Sequence, residues 1–171
     1  SGGVVSGAIY DRDEENKLFV RHTCATTLDE LRLLQNSKYV QSITDSVYQQ
    51  TKDFLQKGKQ VLFTGTPCQI AGLYNYLGRK YEGLYTAETI CHGVPSKKMF
   101  QDYIVLLEKK LNGRVESFCF RDKTKGWGKI TKATYYDKKD QLKSKVIPYY
   151  HSSYFTLFLK ADILRDSCYK C

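Results

Sequence analysis

The sequence predicts a mixed α/β (α+β) domain: a mixed sheet with a parallel crossover unit flanked by helices, then an antiparallel C-terminal portion. Three observations predict it. Between Val61 and Leu111 short apolar runs alternate with amphipathic helical stretches, the order that a parallel strand–helix–strand crossover requires. Beyond Leu111 come three more strand-like runs separated by turn residues, as in an antiparallel meander. The 171 residues are 42% hydrophobic and 13% aromatic, enough for one sizeable core. With no repeat, low-complexity stretch or linker in view, residues 1–171 are expected to form a single domain belonging to a longer protein.

Residues 4–10 and 18–26 are expected to be partner strands across the polar turn of residues 11–16. Thr27-Leu28-Asp29-Glu30 is a capping box that opens a short helix through Leu31 and Leu34. Residues 45–57 make the next helix, because Val47, Tyr48, Thr51, Phe54 and Leu55 share a face and Gly58 stops it. Val61-Leu62-Phe63 is a strand that breaks at Thr64-Gly65-Thr66-Pro67-Cys68-Gln69 into a helix. That helix turns Ile70, Leu73, Tyr74 and Leu77 inward, with Thr66 suited to the N-cap and Pro67 to the first helical position. Residues 84–91 are the following strand, and Pro95-Ser96 caps a long helix with Phe100, Tyr103, Ile104, Leu107 and Leu111 inward. Residues 117–121, 130–136 and 142–148 are expected as antiparallel strands. Residues 152–163 complete the chain as a helix carrying Phe155, Leu157, Phe158, Leu159 and Ile163.

The cysteines are unevenly placed. Cys68 falls just inside a helix start, where unpaired amides and the positive end of the helix dipole favour a thiolate. Cys91 ends the next apolar segment, and Cys168-Tyr169-Lys170-Cys171 is a CxxC pair. If the strands at Val61 and Leu84 are parallel neighbours, Cys68 and Cys91 leave the same carboxyl edge, where open α/β sheets bind ligands. With the CxxC pair they make four thiolates, the number taken by a tetrahedral zinc or a cubane iron–sulfur cluster. The irregular spacing does not separate the two metals. The competing reading makes Cys68 and Cys91 small buried hydrophobes; Cys24 and Cys119, inside strands, are expected to be that. His92 beside Cys91 raises a metal-free thiol enzyme, with Cys68 as its better partner because adjacent strand residues face opposite ways. The plainer reading of His92 is a hydrogen-bonded loop residue.

From Phe118 to Lys129 two strands are joined by a basic, glycine-bearing loop around the only tryptophan. There Arg121 and Lys123 suit a phosphate and Trp127 a flat ring. The helix start at Gly65, Thr66, Pro67 and Gln69 offers backbone amides to an anion. A zinc-stapled nucleic-acid module using Lys123, Lys125, Trp127, Lys129 and Lys132 is the alternative use of the same loop, and a solvated hairpin the plain one. The net charge of +9 fits any polyanion, yet the excess lysine is dispersed. No stretch approaches the ~20 apolar residues that span a bilayer. With no secretory leader, and a chain larger than the small disulfide-stapled domains, reduced thiols in the cytoplasm are expected. No GxGxxG, Walker loop, zinc-protease helix or serine elbow is present.

Six stretches occur in one order: Gly3-Val4-Val5-Ser6-Gly7-Ala8, Ser37-Lys38-Tyr39-Val40-Gln41-Ser42, Thr64-Gly65-Thr66-Pro67-Cys68-Gln69-Ile70-Ala71-Gly72-Leu73, Cys91-His92-Gly93-Val94-Pro95-Ser96, Phe120-Arg121-Asp122-Lys123 with Gly126-Trp127, and Ser167-Cys168-Tyr169-Lys170-Cys171. In that order they resemble the beta-subunit family of coenzyme F420 hydrogenases and dehydrogenases, which includes 7-hydroxymethyl chlorophyll a reductase. The resemblance implies an iron–sulfur flavoprotein oxidoreductase that passes electrons between a reduced deazaflavin or ferredoxin and a partner through FAD. It implies Cys68, Cys91, Cys168 and Cys171 as ligands of a 4Fe–4S cluster. Gly65, Thr66, Pro67, Gln69, His92 and Gly93 would line the cofactor edge. Arg121, Lys123 and Trp127 would meet phosphate, ring or the acidic tail of coenzyme F420. Other redox subunits or ferredoxin and a small-molecule electron carrier would be the partners, with neither nucleic acid nor a membrane span expected.

Overall fold

Val4, Ser6 and Ile9 turn inward along β1 (Val4–Arg12), and Leu18, Val20 and His22 do so along β2 (Leu18–Ala25). The period of two along β2, and from Val4 to Ser6 in β1, is the mark of a strand with one buried face. The computed structural model describes residues 2–124 and 126–170. They divide into two compact units, one holding the residues up to Ile9 with Val20–Gln35 and Ser42–Cys91, the other Tyr10–Phe19, Asn36–Gln41 and the residues from His92 on.

In the first unit, the capping box of Thr27 and Glu30 opens α1 (Leu28–Leu34). Then follow α2 (Val47–Gln56), β3 (Val61–Gly65), α3 (Pro67–Leu77) and β4 (Leu84–Glu88). The sheet order is β2-β1-β3-β4. β3 runs parallel to both neighbours, with Val61 opposite Val4 on one side and Leu84 on the other. The crossover predicted from the sequence is therefore present. Its core joins Val4, Val47, Leu55, Val61, Phe63, Ile70, Leu73 and Leu77. Each such side chain contributes roughly 1.5–3 kcal/mol when fully buried. Close packing of α2 on α3 needs Gly72, because a Cβ there would lie 2.9 Å from Tyr48 Oη.

In the second unit, Ser96 caps α4 (Lys97–Leu111) by accepting from the Met99 N–H, and Phe100, Tyr103, Ile104 and Leu107 face inward. β5 (Gly113–Cys119), β6 (Ile130–Asp137) and β7 (Leu142–Pro148) form an antiparallel sheet in that order. A short helix, α5 (Ser153–Leu159), follows. Phe118 and Phe120 meet edge-to-face at 4.8 Å among Phe100, Tyr154 and Phe155, an aromatic core.

Three boundaries differ by three residues or more from those the sequence predicts. β4 stops at Glu88 rather than 91, because its partner β3 ends at Gly65, and Thr89 N–H to Gly65 O is the last bond available. α5 stops at Leu159 rather than 163. Ala161 adopts φ 63°, and the N–H groups of Ala161 and Asp162 return to the carbonyls of Phe158 and Leu157, a Schellman-type stop without its usual glycine. β5 begins at Gly113 rather than 117, since left-handed Asn112 turns α4 directly into the strand.

Candidate metal and cofactor site

β3 and β4 are parallel neighbours, so the segments carrying Cys68 and Cys91 leave the same edge of the sheet. Both side chains are exposed, which sets aside the reading of them as buried hydrophobes. Cys68 sits at the second position of α3, after Thr66 and Pro67. Cys91 lies beyond β4 rather than at its end. Cys24, by contrast, is half-buried against the core, where burial pushes its thiol up while the Thr51 and Ser6 hydroxyls pull the other way.

A polar network backs the α3 corner. Gln69 Oε1 accepts the Thr66 N–H at 3.0 Å, and Thr66 Oγ1 stands 3.1 Å from that oxygen and 3.2 Å from Cys68 Sγ. Behind Gln69 lies His22, buried and stacked on Phe63 at 5.6 Å. His22 Nε2 is 3.0 Å from the Thr64 carbonyl and Nδ1 is 2.6 Å from Ser42 Oγ. A carbonyl only accepts, so Nε2 carries the proton. Tyr48 donates to the Gln69 carbonyl at 2.8 Å, and burial pushes its phenol up.

In the second unit, His92 is exposed and Gly93 has φ +108°. A Cβ at Gly93 would come within 2.7 Å of Leu164 Cδ1 and 3.1 Å of Cys168 Cβ. Glycine is required for Cys168 to approach the segment that follows Cys91 in the chain. The Arg165 N–H bonds the Val94 carbonyl at 3.1 Å, and the Cys168 N–H bonds Arg165 O at 2.8 Å, fixing that approach. Cys171 lies outside the described residues. Among the described residues no three His, Cys, Asp or Glu side chains gather as a metal site. Within the first unit the donor chemistry of exposed Cys68 and Cys91 suits a thiolate-ligated group; within the second, Gly93 leaves the room that Cys168 occupies.

Arg121 is half-buried. Its Nε donates to Tyr39 Oη at 3.0 Å, and its guanidinium lies over the Tyr39 and Phe155 rings at 5.6 and 5.8 Å. Trp127 is 91% exposed, with Lys123 Nζ 4.9 Å from its ring, so it does not pack on the sheet. Of the other lysines in the nucleic-acid alternative, Lys129 lies over Tyr149 and Lys132 pairs with Asp122 at 3.8 Å. Lys125 lies outside the described residues. Asp122 is held below the usual carboxylate range, chiefly by Thr124.

Sequence reasoning assigned no role to His22 or Tyr39. The signal for His22 was available: a histidine in the inward register of Leu18 and Val20, where a buried imidazole needs partners. Tyr39 and Ser42 stand in a stretch without periodicity, whose value lies wholly in distant contacts.

The family model for the C terminus of the coenzyme F420 hydrogenase/dehydrogenase beta subunit matches residues 58–171, more than half of the chain. Among solved structures, a chain from "Xenon derivatization of the F420-reducing NiFe hydrogenase complex from Methanosarcina barkeri" is similar, with a TM-score of 0.51 and 18% identity. The match covers 99% of this chain and 53% of that one, so the present chain spans about half its length, and the likeness is one of fold. No curated protein matches. No helix among the described residues is long and apolar enough to cross a membrane. The chain belongs to the family defined by the C-terminal region of the coenzyme F420 hydrogenase/dehydrogenase beta subunit.

Proposed function

We propose that the chain is the electron-transfer part of an iron–sulfur flavoprotein oxidoreductase, acting between a deazaflavin such as coenzyme F420, or ferredoxin, and a partner redox subunit. The observation that carries the reading is the shared edge: Cys68 and Cys91 emerge exposed beyond adjacent parallel strands, within a family named for F420-linked redox enzymes. Cys68, Cys91, Cys168 and Cys171 hold a 4Fe–4S cluster, and Gly65, Thr66, Pro67, Gln69, His92 and Gly93 face the cofactors. Arg121 and Lys123 hold phosphate or carboxylate, with Trp127 as a stacking surface for a ring. Bound cluster and FAD supply one- and two-electron chemistry; the chain supplies position, charge and exclusion of water. Arg121 suits its task because its Nε is already engaged by Tyr39, which leaves the terminal fork to face a ligand.

The test is replacement of Cys68 and Cys168 by Ser, separately, in the full-length protein. Each replacement is expected to lower iron content and electron transfer from reduced coenzyme F420 to a dye acceptor. Unchanged iron and activity in both variants removes the reading.

A further inference from the structure

The Thr66 hydroxyl has one proton to give and two acceptors within reach, Gln69 Oε1 at 3.1 Å and Cys68 Sγ at 3.2 Å. Gln69 Oε1 is already served by the Thr66 backbone N–H at 3.0 Å. While Cys68 keeps its own proton, its S–H donates to Thr66 Oγ1 and the hydroxyl donates onward to Gln69. A sulfur that is deprotonated or bound to iron has no proton to offer and is a far stronger acceptor. The hydroxyl then rotates to the sulfur, exchanging one neutral hydrogen bond for a charge-assisted one.

The geometry behind Gln69 fixes the direction of this arrangement. Gln69 Nε2 faces the Ser42 carbonyl at 3.4 Å and His22 Nδ1 at 3.5 Å. Because His22 gives its Nε2 proton to the Thr64 carbonyl, its Nδ1 is left as an acceptor toward Ser42 and Gln69. A flipped Gln69 amide would set its oxygen against the Ser42 carbonyl and its NH2 against the Thr66 N–H. The oxygen therefore stays on the Thr66 side, and the hydroxyl stays within reach of Cys68.

We propose that the Thr66 hydroxyl donates a hydrogen bond to the Cys68 sulfur when that sulfur is a cluster ligand, and thereby raises the cluster's reduction potential. Gln69, held by Ser42 and His22, is the positioning residue. The inference rests on the reading of Cys68 as a ligand. Its physical basis is that hydrogen bonds to cluster sulfurs favour the more negative, reduced form.

The experiment uses full-length protein reconstituted anaerobically with iron and sulfide, unsubstituted and as Thr66→Ser and Thr66→Val. Reduction is followed by spectroscopic titration. Thr66→Ser keeps the donor and is expected to match the unsubstituted protein. Thr66→Val is expected to shift the reduction equilibrium about tenfold against reduction, the scale of one charge-assisted hydrogen bond, or about 59 mV lower for one electron. In deuterated buffer the iron–Sγ(Cys) stretch is expected to shift in the unsubstituted protein and in Thr66→Ser. An unmoved potential in iron-replete Thr66→Val, or no deuterium shift in the unsubstituted protein, overturns the assignment of Thr66 alone. The deuterium result decides the matter where Thr66→Val fails to hold iron. Absence of iron from the unsubstituted protein overturns the ligand reading, and this inference with it.

Discussion

Tyr39 accepts the Nε proton of Arg121 at 3.0 Å while its ring lies beneath the guanidinium at 5.6 Å, so one side chain engages the other through both its hydroxyl and its ring. The tyrosine is itself held, stacked on Phe158 at 4.8 Å and bonded through its carbonyl to Tyr154 Oη at 2.8 Å. Tyr39→Phe keeps the ring and removes the acceptor. It is expected to cost about 1 kcal/mol in denaturant unfolding and to weaken FAD binding, read from the fluorescence of the single tryptophan, Trp127. Arg121→Lys loses the planar fork and weakens binding further. Equal FAD affinity in all three proteins would take Arg121 out of the cofactor site.

Gly93 combines a left-handed backbone with contacts that leave no room for a Cβ. Gly93→Ala is expected to destabilise the protein by about 1–3 kcal/mol and to lower reconstituted iron content by displacing Cys168. Calorimetry and iron analysis check the two effects separately.

Ala161 holds a left-handed conformation at the end of α5 with no glycine to ease it. Ala161→Gly is expected to stabilise by about 1 kcal/mol, measured as a raised midpoint in urea. A lowered midpoint would mean that the strain is not borne there.

Acid stability has an identifiable contributor. Gln101 first, then the Lys17 N–H and Lys97, hold Asp13 down to about 2 from an ordinary 3.8. A carboxylate lowered on folding adds stability above its unfolded value and loses it as pH falls through its folded one. The loss therefore falls between about pH 4 and pH 2. Lys38 acts at the other end. Burial pulls it from 10.5 to about 8, so the unfolded chain binds the proton more tightly and stability rises with pH across that interval. Asp13→Asn is expected to flatten the acid slope and Lys38→Met the alkaline one, in urea midpoints measured against pH.

Much of the crossover was legible because it is local: alternating Val61 and Phe63, the Thr66–Pro67 helix start, and the stop signal at Gly58. The ends of β4 and α5 were not, because a strand ends where its neighbour does and a helix can stop on a strained alanine. Likewise Cys68 announced itself by a helix-start motif, whereas the value of Tyr39 to Arg121 depends on residues 82 positions apart in sequence. The role of Gly93 depends on Leu164 and Cys168, which no local pattern links to it.

The most direct test of the central claim is metal and sulfide content, with a visible spectrum, on anaerobically reconstituted full-length protein. The account predicts about four irons and four sulfides per chain, with broad visible absorption that bleaches on reduction. Stoichiometric zinc without sulfide, or no metal at all, would contradict it.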